Sequence, residues 1–257
     1  AVGSVQPTDP AARERKGFLF AVADGLGGLN AGEVASATAI QALLDEYYAP
    51  SNASRVEPAL RQAVQQANLR VHDLAQKHVE QRGMGTTLSA LALAGATAYI
   101  AHVGDSRIYR LRDGKLLQLT QDHSEVAELV RMRIVKPEMA REHPSRNVLT
   151  RTVGHQLMLR PDFAREPVLP GDIFLLCSDG VWSEIEDDEL PELLTCGTPE
   201  EACARIIDTC LARECGDNVS VAVVRVDDVD HTADQLHHQR QGFITGIVDR
   251  MPRIRRA

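Results

Sequence analysis

The sequence predicts an α+β layered domain, on three observations. Two long helical patterns cover much of residues 33–81. Four strand-like runs follow between residues 86 and 119, joined by turns too short to hold a crossover helix. A last helix and strand, near residues 199–226, complete the pattern. Short turns between successive strands require antiparallel pairing. Helices kept apart from such strands define an α+β architecture.

Residues 17–23 (GFLFAVA) read as a buried strand ending at Asp24. The loop at residues 25–32 is too glycine-rich for helix or strand. A helix over 33–48 follows, with Ala35, Ala39, Leu43 and Tyr47 on one face. A second runs over 56–81, with Leu60, Val64, Ala67, Val71 and Leu74 at helical spacing. Strands are expected at 86–94, 96–103, 107–112 and 115–119. Asp113-Gly114 marks a two-residue hairpin between the last two. Residues 121–147 carry many charges and no strand pattern, so they should hold one helix and a mobile excursion. A strand at 173–177 comes next. Thr198 caps a helix that starts at Pro199, with Glu201 completing a capping box. A strand at 219–226 ends a domain of residues 1–230, with a flap excursion near 125–146. Residues 231–257 change character and read as a tail or linker.

Composition excludes several classes. The net charge of −8 offers no global basic surface for nucleic acid or an anionic membrane. No apolar stretch reaches the ~20 residues that span a bilayer. The cysteines, Cys177, Cys196, Cys203, Cys210 and Cys215, form no CxxC pair and no zinc-ligand spacing. They fit a reduced, cytoplasmic compartment.

Four acidic turns carry the chemistry: Asp24-Gly25, Gly104-Asp105-Ser106-Arg107, Ser178-Asp179-Gly180 and Gly216-Asp217-Asn218. Each lies at or next to the end of an apolar run. Any single Asp at a turn needs no function. Four at strand ends suggest a convergent oxygen-rich site of the kind Mg²⁺ or Mn²⁺ prefers. Without a cation, such a cluster would be opposed by like-charge repulsion.

The same residues resemble the metal-dependent type 2C (PPM) protein phosphatases, of bacterial type. The resemblance covers nearly all of residues 17–226. It rests on Val22-Ala23-Asp24-Gly25-Leu26-Gly27-Gly28, Gly85-Thr86-Thr87, Ala101-His102-Val103-Gly104-Asp105-Ser106-Arg107 and Gln121-Asp122-His123-Ser124. It continues through residues 147–154, Cys177-Ser178-Asp179-Gly180-Val181-Trp182 and Gly216-Asp217-Asn218-Val219-Ser220. It implies a four-layer α-β-β-α sandwich of two antiparallel sheets flanked by helices. It implies a serine/threonine phosphatase that uses two Mn²⁺ or Mg²⁺ ions, with a third, weaker one, and a metal-bridging hydroxide. Asp24 would bridge the ions and Gly25 would add its carbonyl. Asp179 and Asp217 would complete the pair, and Asp105 would share the third ion with Asp179. Expected partners are phosphorylated Ser/Thr proteins, including a cognate Ser/Thr kinase, in signal transduction, with the domain itself a monomer and not bound to membrane.

The sequence departs from the family in two places. Leu26 stands where many members carry a His able to donate a proton. The family's opening Arg-x-x-Asn-Glu/Gln-Asp stretch does not occur, so an N-terminal strand and part of the metal shell are expected to be missing. The alternative reading is therefore a catalytically weak or inactive binding or regulatory module of the same fold. Arg131, Arg133, Lys136, Arg141 and Arg146 crowd the flap. They read either as a solvated face or as a docking surface for acidic phosphopeptides.

Overall fold

The protein is described by a computed structural model over residues 1–5, 14–27, 31–50, 55–229 and 243–250. In chain order the elements are β1 (Val2–Val5), β2 (Phe18–Val22), β3 (Gly25–Leu26), α1 (Ala31–Tyr48), α2 (Val56–Lys77), β4 (Gly85–Thr86), β5 (Leu88–Ala94), β6 (Thr97–Val103), β7 (Arg107–Arg112) and β8 (Lys115–Gln118). Then come α3 (Glu125–Arg131), β9 (Asp162–Pro167), β10 (Ile173–Cys177), α4 (Asp179–Trp182), α5 (Leu190–Thr195), α6 (Pro199–Ala212), β11 (Val219–Val226) and β12 (Phe243–Arg250).

Two five-stranded sheets form the centre, in the orders β1-β2-β5-β6-β9 and β12-β11-β10-β7-β8. Every pairing within them is antiparallel. Strand side chains alternate between faces, and β2 shows the consequence. Phe18, Phe20 and Val22 enter the core between the sheets, with Ile108, Phe174, Leu176 and Val224. Leu19 and Ala21 point the other way, against Ala35, Leu43, Leu60 and Val71 of the two long helices. A third core packs α5 and α6 on the far face of the second sheet, through Leu190, Cys203, Ile206 and Cys210. The layers are thus helix, sheet, sheet, helix. Each fully buried Phe or Leu stabilises this arrangement by roughly 1.5–3 kcal/mol. A one-residue slip of β2 would exchange its two faces.

Local signals explain much of the detail. The β7–β8 turn uses Asp113 at φ 50° and Gly114 at φ 73°, the conformation that Asp-Gly hairpins favour. Thr198 Oγ1 accepts from Glu201 N, and the Glu201 side chain accepts from Thr198 N, so the predicted capping box forms. Ala35, Ala39, Leu43 and Tyr47 are all buried on α1.

Several expectations need correction. The helix α1 begins at Ala31, and Gly25–Leu26 pairs with Gly85–Thr86 as a two-residue ladder. The close approach explains the glycines, since a Cβ at Gly25 would stand 1.8 Å from the Gly32 carbonyl oxygen. The helix α2 stops at Lys77, followed by one 3₁₀ turn over Val79–Gln81. The strand β9 is an edge strand, mostly exposed and charged, so it carries no apolar pattern. Residues 243–250, assigned above to the tail or linker, run as a strand beside β11 with Val219 opposite Arg250. The rest of 231–257 lies outside the described residues. Ala1–Val5 includes an edge strand of its own, with Val2 opposite Val22.

Candidate metal centre

The acidic turns meet where the two sheets end at the same rim. Asp24 follows β2 in the first sheet. Asp179 follows β10, and Asp217 precedes β11, in the second. Each of the three offers a carboxylate oxygen, and these oxygens lie within 4.8 Å of one another. The geometry therefore brings together three residues that are distant in sequence.

Short buried polar side chains hold the turns in place. Asp24 N donates to Thr87 Oγ1 at 2.8 Å. The Asp24 carbonyl accepts from Thr87 N and from Thr86 Oγ1, both at 2.8 Å. Thr87 Oγ1 is in turn hydrogen-bonded to Ser106 Oγ, which ties the Asp24 turn to the Asp105 turn. The other two turns are joined through Ser178. Its hydroxyl donates to the Asn218 carbonyl and accepts from Ser220 N, each at 3.0 Å. Gly180 permits this contact, because a Cβ there would stand 2.5 Å from the Asn218 oxygen. Asp217 folds back on its own turn, its Oδ1 accepting from Asn218 N at 2.7 Å.

The electrostatics are those of a site short of positive charge. Burial pushes the Asp179 carboxyl well above its usual range, and the Asp24 charge adds to the effect. Burial likewise raises Asp105 to about 8, with the Asp179 charge next in importance. Asp24 is raised by burial and by Asp217 and Asp105, although its hydrogen bond to Asp179 works the other way. Asp179 Oδ1 is buried with no hydrogen-bond partner among the described residues. A buried, unpaired carboxylate oxygen is costly. A hard divalent cation would satisfy it and offset the repulsion, so this all-oxygen donor set fits Mn²⁺ or Mg²⁺.

Asp105 lies beside the trio and interacts with it by charge. Its carbonyl accepts from Trp182 Nε1 at 2.9 Å. The preceding Gly104 sits at φ +104°, and a Cβ there would be 2.6 Å from Thr87 Cγ2. The Gly25 carbonyl lies against Gly32, where an added Cβ would be 2.7 Å away.

Neighbouring residues act as braces. Arg107 donates to both oxygens of Asp122 and lies over the Trp182 ring at 3.9 Å. His102 is buried between Ser89 Oγ and the Gln121 carbonyl. Burial, then the neighbouring His123, push its pKa down to about 4. His123 Nδ1 accepts from Gly104 N, and Nε2 faces Asp162, which also pairs with Arg151. Sequence reasoning missed Ser178, Asp122 and Asp162 as supports. A short polar residue directly before Asp179-Gly180 was the available signal for Ser178. Asp162 stands on the unpatterned strand β9 and gave none.

The protein phosphatase 2C family model matches residues 4–219. The serine/threonine phosphatase stp of Listeria monocytogenes is 40% identical over 179 residues, covering 68% of this chain and 71% of that protein. The serine/threonine protein phosphatase PstP of Mycobacterium tuberculosis is 37% identical over 233 residues. That match spans 90% of this chain and 43% of PstP. A solved catalytic domain of PstP in complex with two manganese ions superposes with a TM-score of 0.72 at 33% identity, over 87% of this chain and 95% of that one. The chain therefore belongs to the protein phosphatase 2C family.

Proposed function

We propose that this protein is a Mn²⁺- or Mg²⁺-dependent phosphatase that hydrolyses phosphoserine and phosphothreonine in proteins. The observation that carries this reading is the convergence of Asp24, Asp179 and Asp217 around a buried carboxylate oxygen left without a partner. Asp24, the one member of the trio that comes from the first sheet, would bridge two cations, assisted by the Gly25 carbonyl. Asp179 and Asp217 would hold one of the pair, and Asp105 with Asp179 a third. When bound, such ions supply Lewis-acid charge at a phosphoryl group and lower the pKa of water.

The chain's own residues set the rest. The Thr86–Thr87 and Ser178 hydrogen bonds hold the backbone of the turns that carry the carboxylates, the kind of support that fixes metal ligands. Arg107 is committed to Asp122 and Trp182, so it braces the Asp105 turn and is not free to clamp phosphate. Leu26 has no proton to give a leaving group. Cysteine-phosphatase chemistry is disfavoured, because Cys177 is fully buried and burial holds its thiol far above neutrality. The retained acidic cluster favours an enzyme over an inactive binding module, which would have no use for it.

Two further parts of the reading concern context. The substrates would include a cognate Ser/Thr kinase, and the domain would act as a cytoplasmic monomer. Among the described residues, no helix is long and apolar enough to cross a membrane. The test is hydrolysis of a phosphothreonine peptide with Mn²⁺ and with EDTA. Activity that persists in EDTA, or in Asp24→Asn and Asp179→Asn, would overturn the assignment.

A further inference from the structure

A cleft of about 470 Å³ opens between the flap and the body of the domain. Its apolar surface includes Val126 and Val130 of α3 and the Trp182 ring. Its charged lining is one-sided. Four arginines, Arg107, Arg131, Arg141 and Arg146, face it with a single carboxylate, Asp122. Arg107 consumes Asp122 through both carboxylate oxygens. Arg141 pairs with Glu186 at 2.8 Å, and Arg131 approaches Glu128 only to 3.6 Å. Both of these are pairs with substantial solvent contact, which hold charge weakly. Arg146 donates to the Arg141 carbonyl and has no carboxylate within ion-pair distance among the described residues. The cleft is thus a basic pocket on a chain whose net charge is −8.

The cleft also shares a wall with the carboxylate centre. Trp182 ends the single helical turn that Asp179 begins, and its indole donates to the Asp105 carbonyl. Arg107 stands two residues beyond Asp105. A peptide laid in the cleft would lie within a few residues of the centre, at ~3.3 Å per extended residue.

We propose that this cleft binds an Asp/Glu-rich segment flanking the phosphorylated residue of a protein substrate. The carboxylates would meet Arg131 and Arg146, while the aliphatic portions of the segment would pack on Val126, Val130 and Trp182. Complementary charge at such a rim selects partners and speeds encounter. The proposal rests on the phosphatase reading for its biological meaning, but its test does not depend on turnover.

Trp182 is the only tryptophan in the chain, so its emission reports occupation of the cleft. The probe is an unphosphorylated peptide with Glu residues around one Thr, titrated into the Mn²⁺-loaded full chain. A matched Gln peptide is the control. The Glu peptide should bind about 4–25-fold more tightly, at roughly 2–5-fold for each of two exposed charge contacts. The Arg131→Gln/Arg146→Gln double variant should lose that preference. With acid-flanked phosphothreonine peptide, the same variant should raise KM by a similar factor. Its kcat, and its hydrolysis of p-nitrophenyl phosphate, should match the parent. Equal binding of Glu and Gln peptides would overturn the proposal. So would a preference that survives in the double variant, or tighter binding of an oligothymidylate than of the Glu peptide. If the parent hydrolyses neither substrate, the phosphatase reading fails, and the emission titration still decides the cleft.

Discussion

Replacing Asp179 with Asn should stabilise the metal-free protein and at the same time remove most of the stabilisation that Mn²⁺ provides. The carboxylate oxygens of Asp24, Asp179 and Asp217 lie within 4.8 Å of one another. Two unit charges at that separation repel by about 3 kcal/mol at an effective dielectric near 20. Asp179 faces two such neighbours, with Asp105 beside them. Proton uptake limits the cost. A carboxyl of ordinary pKa near 3.8 can be protonated at pH 7 for about 4 kcal/mol, and burial and neighbouring charge push Asp179 and Asp105 in that direction. Asn removes the carboxyl, and with it the cost of either charging or protonating it, and keeps the shape, so a net relief of about 1–3 kcal/mol is expected. For a domain of this size, each kcal/mol corresponds to about 2–4 °C in Tm. The metal-free variant should then melt roughly 2–12 °C above the parent. Mn²⁺ at a hundred times its Kd should stabilise the parent by about 2.7 kcal/mol and the variant by much less. Thermal melts in EDTA and in Mn²⁺ test this. The reasoning fails if the metal-free variant melts at or below the parent while Mn²⁺ raises both equally.

Other expectations follow from the same geometry. Asp24→Asn should lower Mn²⁺-dependent turnover of a phosphothreonine peptide by at least about 100-fold, since even outer-sphere partners of metal ligands matter at that scale; steady-state kinetics will show it. Gly104→Ala should destabilise by about 2–4 kcal/mol, because it adds a Cβ into Thr87 at a positive φ, and urea unfolding measures this directly. His102 is neutral in the fold, with a pKa near 4 against 6.5 when unfolded. Its contribution is therefore complete above pH 6.5 and is lost as pH falls toward 4, by up to about 3 kcal/mol. The stability difference between parent and His102→Gln should shrink over that window, and an unchanged difference would contradict the burial argument.

The layered fold was legible because its strands and helices are written in apolar period. The pattern Phe18 to Ala23 announces a strand buried on both faces, and Ala35, Ala39, Leu43 and Tyr47 announce a helix packed on one. Asp113-Gly114 and Thr198-Pro199 named their turn and cap through backbone preference alone. The strand β9 was invisible because an edge strand with exposed Asp162 and Arg165 needs no apolar face. The strand β12 was hidden by the polar composition of the segment around it. At the rim, the acidic turns marked the candidates, but their convergence is a long-range fact. It depends on the antiparallel order of two sheets and on Thr87, Ser106 and Ser178 bonding across turns. Neither spacing nor propensity encodes that. The commitment of Arg107 to Asp122 was similarly out of reach, since the two meet only when β7 and the segment after β8 lie side by side.

The most direct test of the central claim is a crystal of the full chain grown with Mn²⁺ and measured with anomalous scattering at the manganese edge. The account predicts two strong peaks a few ångströms apart among Asp24, Asp179 and Asp217, with Asp179 Oδ1 in contact with one of them. Peaks elsewhere on the surface, with this cluster empty at saturating Mn²⁺, would contradict it.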